Sequence, residues 1–282
     1  MTSEGTSPQA RDRDDEAAGW DDEHPAFDTS KAHQARIYDY WLGGKDNFAA
    51  DREAGDAVAA AYPGIVYNAR ANRAFLGRAV RYLAAEAGLR QFLDIGTGIP
   101  SSGNTHQVAQ EVAPDCRVAY VDYDPVVLAH ARALLTSGSR GVTDYIDADL
   151  RDTGTILEKA ARILDFSRPV AVMLLALLHA IGDEEDPWGI VAQVMGATPA
   201  GSYLALSHVA ADIDPEEVEQ ARGRINAMSY QQYTWRTHSQ VSRFFDGLEL
   251  VEPGIVQVHQ WRPGIEPPQT TAIWAGVGRK RG

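Results

Sequence analysis

Cysteine occurs once in this chain, at Cys116, so no internal disulfide can form. Nothing near Met1 joins a basic stretch to an apolar core, so no secretory signal is read and a cytoplasmic location is expected. Long apolar runs are also missing. The longest, Val170 to Leu178, is interrupted by His179 and falls far short of the roughly 20 residues a membrane helix needs, so it reads as a buried strand and no membrane partner is expected. Basic residues are outnumbered, 26 Lys and Arg against 39 Asp and Glu. The resulting formal charge of −13 argues against sequence-independent binding to nucleic acid. Metal-ligand spacings such as H-x-x-x-H or C-x-x-C do not occur among the eight histidines and one cysteine, so no metal is expected.

What is present is a chain of 282 residues, 44% hydrophobic and 23% charged, long enough to bury a full core. Its acidity is uneven. From Lys31 to Arg90 nine Lys and Arg face six Asp and Glu, so this segment is mildly basic, and it is read as a solvated face. Residues 1–25, centred on RDRDDEAAGWDDEH, carry too little apolar surface to offset ordering entropy and are expected to be a disordered acidic tail. Residues 26–90 then read as two helices parted at Gly43 and Gly44 and ended by Pro63, followed by a strongly amphipathic helix. That helix carries Phe75, Ala79, Tyr82 and Leu83 on one stripe, with Gly88 as its C-cap.

From Gln91 to the end, short apolar runs alternate with helical patterns, and such alternation implies a parallel sheet. Strands are expected at QFLDIG, RVAYVD, TDYIDA, PVAVMLLA and SYLALSH. Helices are expected near Thr105–Val112, Pro125–Leu135, Thr155–Leu164, Asp186–Gly196 and Ser239–Phe245. Two last runs, LELVEPGIVQVHQW and TTAIWAGVGRK, read as an antiparallel pair closing one edge. The fold class is therefore α/β: an open, mostly parallel seven-stranded sheet with an antiparallel terminal hairpin and ligands at the carboxyl ends of its strands.

The turn after the first strand, FLDIGTGIPSSGNTHQVAQ, lies where such ligands go. Gly96 and Gly98 flank Thr97, but Ser101 stands where a dinucleotide fingerprint needs its third glycine, and Asp94 would repel a pyrophosphate. A ligand with an ammonium group would instead be attracted. Asp122, followed by Tyr123, ends the second strand 26 residues after Gly96 and is placed for ribose hydroxyls. Asp149 with Leu150 ends the third, offering an acceptor and an apolar wall to an adenine. Asp124, before Pro125, reads as the N-cap of the following helix.

That arrangement resembles the class I S-adenosylmethionine-dependent methyltransferases over roughly Phe92 to Lys280. More narrowly, ARIYDYWLGGKDNFAADREA, NARANRAFLGRAVRYL, YVDYDPVVLAHARALL and PVAVMLLALLHAIGDEEDP are similar to a bacterial S-adenosyl methyltransferase family long catalogued as a domain of unknown function. The resemblance implies S-adenosylmethionine as cofactor in a Rossmann-like fold. It puts Asp94 near the methionyl amino group, Gly96, Thr97 and Gly98 under the cofactor, Asp122 and Tyr123 at the ribose, and Asp149 and Leu150 at the adenine. Ala176 at the end of the fourth strand joins this set. Pro100 replaces a glycine common in class I enzymes and removes an N–H, so the turn is expected to run on to Asn104, with Ser101 to Asn104 near the cofactor carboxylate.

An activated methyl needs an aligned nucleophile, and a base only where that nucleophile is protonated. His179 and His208 follow the fourth and fifth strands and are the candidate bases, each with a packing role as the alternative. The expected acceptor is a small, possibly aromatic molecule, because Met228, Tyr230, Tyr233 and Trp235 cluster in a cap insertion near 210–237. Tyr38, Tyr40 and Trp41 beside the glycine pair suit a lid. Core packing is the equal alternative for the insertion. An enzyme using the sulfonium electrostatically, or a cofactor sensor, stays open at this point.

Overall fold

The computed structural model describes residues 29–134, 141–228, 232–264 and 269–282, with backbone alone at 131–134. The expected acidic tail and Tyr230 lie outside these residues. The helices are α1 (Gln34–Trp41), α2 (Ala49–Ala61), α3 (Ile65–Ala85), α4 (Thr105–Val112), α5 (Pro125–Leu134), α6 (Thr153–Ala160), α7 (Pro187–Gly196), α8 (Pro215–Met228) and α9 (His238–Ser242). The strands are β1 (Gln91–Ile95), β2 (Arg117–Asp122), β3 (Val142–Asp147), β4 (Ala171–Leu175), β5 (Tyr203–Val209), β6 (Leu248–Leu250), β7 (Val256–Gln257) and β8 (Ile273–Lys280). No helix among the described residues is long and apolar enough to cross a membrane.

The sheet runs β3-β2-β1-β4-β5-β8-β6, parallel through β5, with β8 antiparallel to β5. Every residue of β1 is buried, as a strand covered on both faces requires. The expected terminal hairpin forms, but its first run splits into β6 and β7, which both pair with β8. Pro253 has no N–H to offer the ladder and Gly254 takes φ 86°, so the edge strand leaves β8 between them. The α6 helix starts at Thr153, earlier than expected, because the Asp152 side chain caps it by accepting from the Thr155 N–H.

One face of the sheet packs on α3 and α4, where Phe75 and Trp261 meet edge to face at 5.3 Å. The other packs on α6, α7 and α9. Past the end of α3, Gly88 takes φ 73°, which turns the chain back so that the Leu89 N–H bonds Leu83 O. The α2 helix packs on α8 through Val58, Tyr62, Ile213, Val218 and Ile225, so part of the insertion is core, as its packing alternative held. At the corner between α1 and α2, Arg36 and Asp51 form a buried ion pair at 3.2 Å. A Cβ on Gly44 would lie 1.9 Å from the Asp39 carboxylate, which explains glycine at that close approach.

The β1–β4 boundary sets the site. Strand order turns back here: the chain steps outward from β1 to β3, then returns to the other side of β1 at β4. Loops leaving β1 and β4 diverge, and a crevice opens at their carboxyl ends.

Candidate cofactor and acceptor site

A cleft of about 1190 Å³, counting its space open to solvent, occupies that crevice. Asp94, Asp122 and Asp149 line it from three adjacent strand ends, together with Gly96, Thr97, Gly98, Tyr123, Leu150 and Ala176. Gly96 and Gly98 both have positive φ, 74° and 64°. Gly96 has a second reason to be glycine, since a Cβ there would lie 2.6 Å from the Leu177 side chain. The turn runs to Asn104, the N-cap of α4. Asn104 itself does not line the cleft: its Oδ1 accepts from Arg73 Nη2 at 2.6 Å and from the Ser101 N–H at 3.2 Å, which holds the turn closed.

Asp94 is 5% exposed and accepts from Thr105 Oγ1 at 2.6 Å through one oxygen only. Burial pushes its carboxyl up to about 6, against the opposing pull of Thr105 and Arg73. Holding it ionised at neutral pH in that surrounding costs about 3 kcal/mol, a tension that a cation in the cleft would relieve. Asp122 is also raised by burial. Its Oδ2 accepts from the Gly98 N–H at 2.9 Å and its Oδ1 from the Tyr123 and Asp124 N–H groups at 2.8 and 3.0 Å. Asp122 therefore pins the glycine turn to β2, and with Oδ1 filled by two N–H groups it keeps one lone pair of Oδ2 for a single ribose hydroxyl rather than a bidentate contact. Asp149 is paired with Arg151, which also binds Glu185. Tyr123 stays 43% exposed at the rim, its ring edge-on to that of His33 with centroids 6.1 Å apart, while His33 Nδ1 meets Asp124 Oδ2 at 2.6 Å. Asp124 also caps α5, accepting from the Val126 N–H at 2.7 Å.

A second cavity, of about 630 Å³ on the same measure, lies beside the first, and Gln34, Tyr38 and Ala176 line both. Tyr38, Trp41, Tyr233 and Trp235 of the expected pocket face this space. Met228 does not. It ends α8 with 37% of its surface exposed, because the apolar side of that helix is taken by Val218, Ala221 and Ile225. Ala176 has φ 48°, a strained value outside glycine, and is held there from both sides. Its N–H donates to Ser207 O and Oγ, each at 3.0 Å, and its carbonyl accepts from Gln34 Nε2 at 2.9 Å. Ser207 Oγ donates to Asn72, Asn72 donates to Tyr38, and the Tyr38 hydroxyl donates to Ala69 O, so α1 and α3 are tied to the ends of β4 and β5.

The two histidines differ. His208 is fully buried and lines neither cavity, with Nε2 against Arg236 Nη1 at 2.9 Å and Nδ1 against Val209 O at 2.8 Å. With both nitrogens engaged it is a packing residue, and the reading of His208 as a base is corrected. His179 lines the second cavity in the turn after β4, and its Nε2 faces Gln34 Nε2 at 2.8 Å. Ala176 O can only accept, so the amide nitrogen of Gln34 stands between the carbonyl and the ring. That nitrogen donates to both, so His179 Nε2 bears the lone pair and Nδ1 the proton. Nδ1 is buried with no partner. Burial first, and Arg236 second, push the imidazole down to about 3, so it is neutral.

Four cleft residues escaped the sequence reading: Gln34, Asn72, His33 and Arg73. Arg73 lines the cleft from α3, donating through Nη2 to Ser101 O, Ser102 O and Asn104, while its Nε is buried without a partner. Its signal was the polar run NARANR on a helix whose opposite face is strongly apolar.

A family model described as S-adenosyl methyltransferase matches residues 21–281. The structure of a DUF574 family protein from Streptomyces avermitilis MA-4680 is 47% identical over 90% of this chain and 99% of its own, with a TM-score of 0.86. A Thermobifida fusca YX protein is 40% identical over 90% and 97%, at 0.83. The fold alone is shared with an O-methyltransferase family protein from Burkholderia thailandensis, 15% identical over 83% and 60%, at 0.52. Among curated proteins no sequence matches this chain. With a family match over nearly the whole chain and two close structural relatives on the same class I sheet, the chain belongs to the S-adenosyl methyltransferase family and is an S-adenosylmethionine-dependent methyltransferase.

Proposed function

We propose that the enzyme methylates a small apolar molecule held in the second cavity, with the cofactor lying along the cleft in strand order. The residues present fit that cofactor. At the β1 end Asp94, a carboxylate bonded through one oxygen only, lies within the field of Arg73, a guanidinium with a buried orphan Nε, and this pair of opposite charges complements an amino-acid zwitterion. Asp122 would take a ribose hydroxyl, while Leu150 and Tyr123 would wall the adenine with Asp149 as polar neighbour. Bound there, the cofactor supplies a methyl on a sulfonium, already activated for displacement.

The chain's own part is to bind, orient and exclude water. The observation that carries the reading is the shared wall: Gln34, Tyr38 and Ala176 border both cavities, so groups in the two spaces meet across them. The α1 helix roofs the cleft with His33, Gln34, Ala35 and Tyr38, and we assign α1 and α2 the role of a lid, with α8 as part of the cap. A cytoplasmic setting accords with a fold that needs no disulfide, its single thiol buried and pushed up to about 11, chiefly by that burial.

Cofactor labelled on its methyl, incubated with the protein and a fractionated small-molecule extract, is expected to give a labelled low-mass product together with S-adenosylhomocysteine. Label recovered in protein or nucleic acid from an unfractionated extract, and in no small molecule, overturns the assignment.

A further inference from the structure

The second cavity lacks what deprotonation needs. Among the described residues lining it there is no carboxylate, lysine or arginine. Its nearest candidate base, His179, has its lone pair occupied by Gln34, and the Tyr38 hydroxyl donates to Ala69 O while accepting from Asn72. His208 behind it has no free nitrogen. Asn68, the other polar lining residue, is no base, since its Nδ2 donates to the Tyr62 hydroxyl and its Oδ1 accepts from the Ala272 N–H, and the remaining walls are apolar or aromatic, including Trp41, Trp235 and Ile225.

Resting on the proposed function above, we infer that this cavity takes a flat aromatic acceptor whose methylated atom is a neutral nitrogen, and does not take an alcohol or phenol. The chemistry follows from charge. A neutral nitrogen uses its lone pair to form the N–CH3 bond as the C–S bond breaks. The bonding pair stays on sulfur, which leaves as a neutral thioether, and the single positive charge passes from sulfur to nitrogen. Charge is neither created nor cancelled in a low-dielectric space, and no proton has to move. Aromatic faces such as Trp41 and Trp235 favour a cation carried by a flat ring. A hydroxyl would have to lose its proton before or during attack, and no lining group is free to receive it. An anionic oxygen would enter an apolar cavity with no cation to meet it. Any N–H proton on the product is released to water after departure.

Polarity inside the cavity adds a contact. The buried Nδ1–H of His179 has no partner within the protein, so a ligand with a weak hydrogen-bond acceptor completes it. Gln34 donates through Nε2 to Ala176 O and to His179 Nε2, which fixes its side-chain amide at the boundary of the two cavities.

Isoquinoline and naphthol test the inference, since both are fused two-ring molecules, one with a ring nitrogen and one with a hydroxyl. Calorimetry on the protein saturated with S-adenosylhomocysteine is expected to detect isoquinoline. Filling the cavity by Ile225→Trp or, independently, by Ile273→Phe should weaken isoquinoline at least about tenfold while leaving homocysteine-adduct binding and its thermal stabilisation intact. With methyl-labelled cofactor, isoquinoline should become N-methylated and naphthol should not. Methylation of naphthol on oxygen at a comparable rate overturns the nitrogen assignment. Absence of isoquinoline binding, or binding indifferent to both cavity-filling variants, overturns the cavity as acceptor site. Loss of S-adenosylhomocysteine binding by the unmodified protein is a separate result that strikes the proposed function itself.

Discussion

Replacing Arg73 with glutamine is expected to weaken S-adenosylhomocysteine far more than methylthioadenosine, a ligand that shares the nucleoside but lacks the amino-acid end. Arg73 is the one guanidinium lining the cleft, among the described residues, that has no carboxylate partner; Arg151 pairs with Asp149 and Glu185. Its Nη2 is committed to the turn at Ser101, Ser102 and Asn104, and its Nε is buried and empty. A charge-assisted hydrogen bond to a ligand carboxylate is worth about 1.5–3 kcal/mol, which corresponds to roughly ten- to a hundredfold or more in affinity. Loss of the turn contacts adds a penalty, but in the proposed pose that penalty falls on both ligands, because Gly96 to Gly98 of the same turn would underlie the nucleoside as well. The difference between the two losses therefore isolates the carboxylate contact. Titration calorimetry on both variants with both ligands measures it. If Arg73→Gln weakens the two ligands by the same factor, Arg73 acts only as a brace for the turn. Lysine at this position keeps the charge but has one nitrogen where arginine bonds the turn through Nη2 and leaves Nε separate, so Arg73→Lys is expected to recover only part of the selective loss.

The carboxyl of Asp94, raised to about 6 by burial, must be ionised to hold an ammonium, so affinity for S-adenosylhomocysteine should fall as pH drops through about 6; the same titration on Asp94→Asn should be flat there, and a slope persisting in the variant refutes the assignment. The sign for stability is opposite to that of a salt-bridged acid: with the folded value above the unfolded one, the ligand-free protein should gain stability as pH falls from about 7 toward 5, as far as Asp94 alone is concerned. Asp122→Asn removes an oxygen that accepts backbone N–H bonds from the turn, so both the melting temperature and cofactor affinity should fall, the latter by about 1.5–3 kcal/mol; unchanged affinity in a folded variant would show that the acid serves the turn alone. His179→Ala should alter the acceptor's KM while leaving the shape of the rate profile between about pH 5 and 9 unchanged, because a neutral imidazole held near 3 does not titrate there; loss of an acid limb in the variant would restore His179 as a base.

The sheet was legible because parallel strands buried on both faces leave apolar runs: Val118 to Val121 and Ala171 to Leu174 are each wholly buried, and in β1 Phe92, Leu93 and Ile95 are broken only by Asp94. The acidic residues at the ends of β1, β2 and β3 were legible for the same reason, since a carboxylate that closes such a run stands out. The roof was legible only in part. Tyr38 stood out as one of three aromatics beside a glycine pair, but Gln34, Asn72 and Arg73 sit on helices, where periodicity reveals the apolar stripe but not which flanking polar residue meets the cleft once α1 and α3 dock. His179 and His208 looked alike in sequence, each at a strand end, and were separated only by tertiary partners: Arg236, arriving from 28 residues beyond His208, occupies the latter's Nε2. Met228 was misread because four large side chains close in sequence need not converge in space. The chain leaves α8 after it, and Tyr233 and Trp235 turn back to the cavity while Met228 stays at the surface.

The distribution of charge across Gln34, Tyr38 and Ala176 states the enzyme's division of labour. On the cofactor side lie Asp94, Arg73, Asp122 and the paired Asp149 and Arg151, so binding there is directed by fixed charges, two of them on carboxylates held above their ordinary range by burial. On the acceptor side the described lining carries no ionised group, and the one imidazole is held neutral. A cofactor with an ammonium, a carboxylate and a sulfonium needs directional electrostatics to lie in one pose. A methyl already activated by its sulfur asks little of the acceptor side beyond alignment and the exclusion of water. The strained Ala176, its backbone held by Ser207 and Gln34, has the smallest side chain that still carries a Cβ, so the partition is thin where the two spaces meet. The polar network from Tyr38 through Asn72 to Ser207 ends on that same residue, so the helices that roof the cleft also fix the wall between the two spaces, across which the methyl would pass in the proposed arrangement.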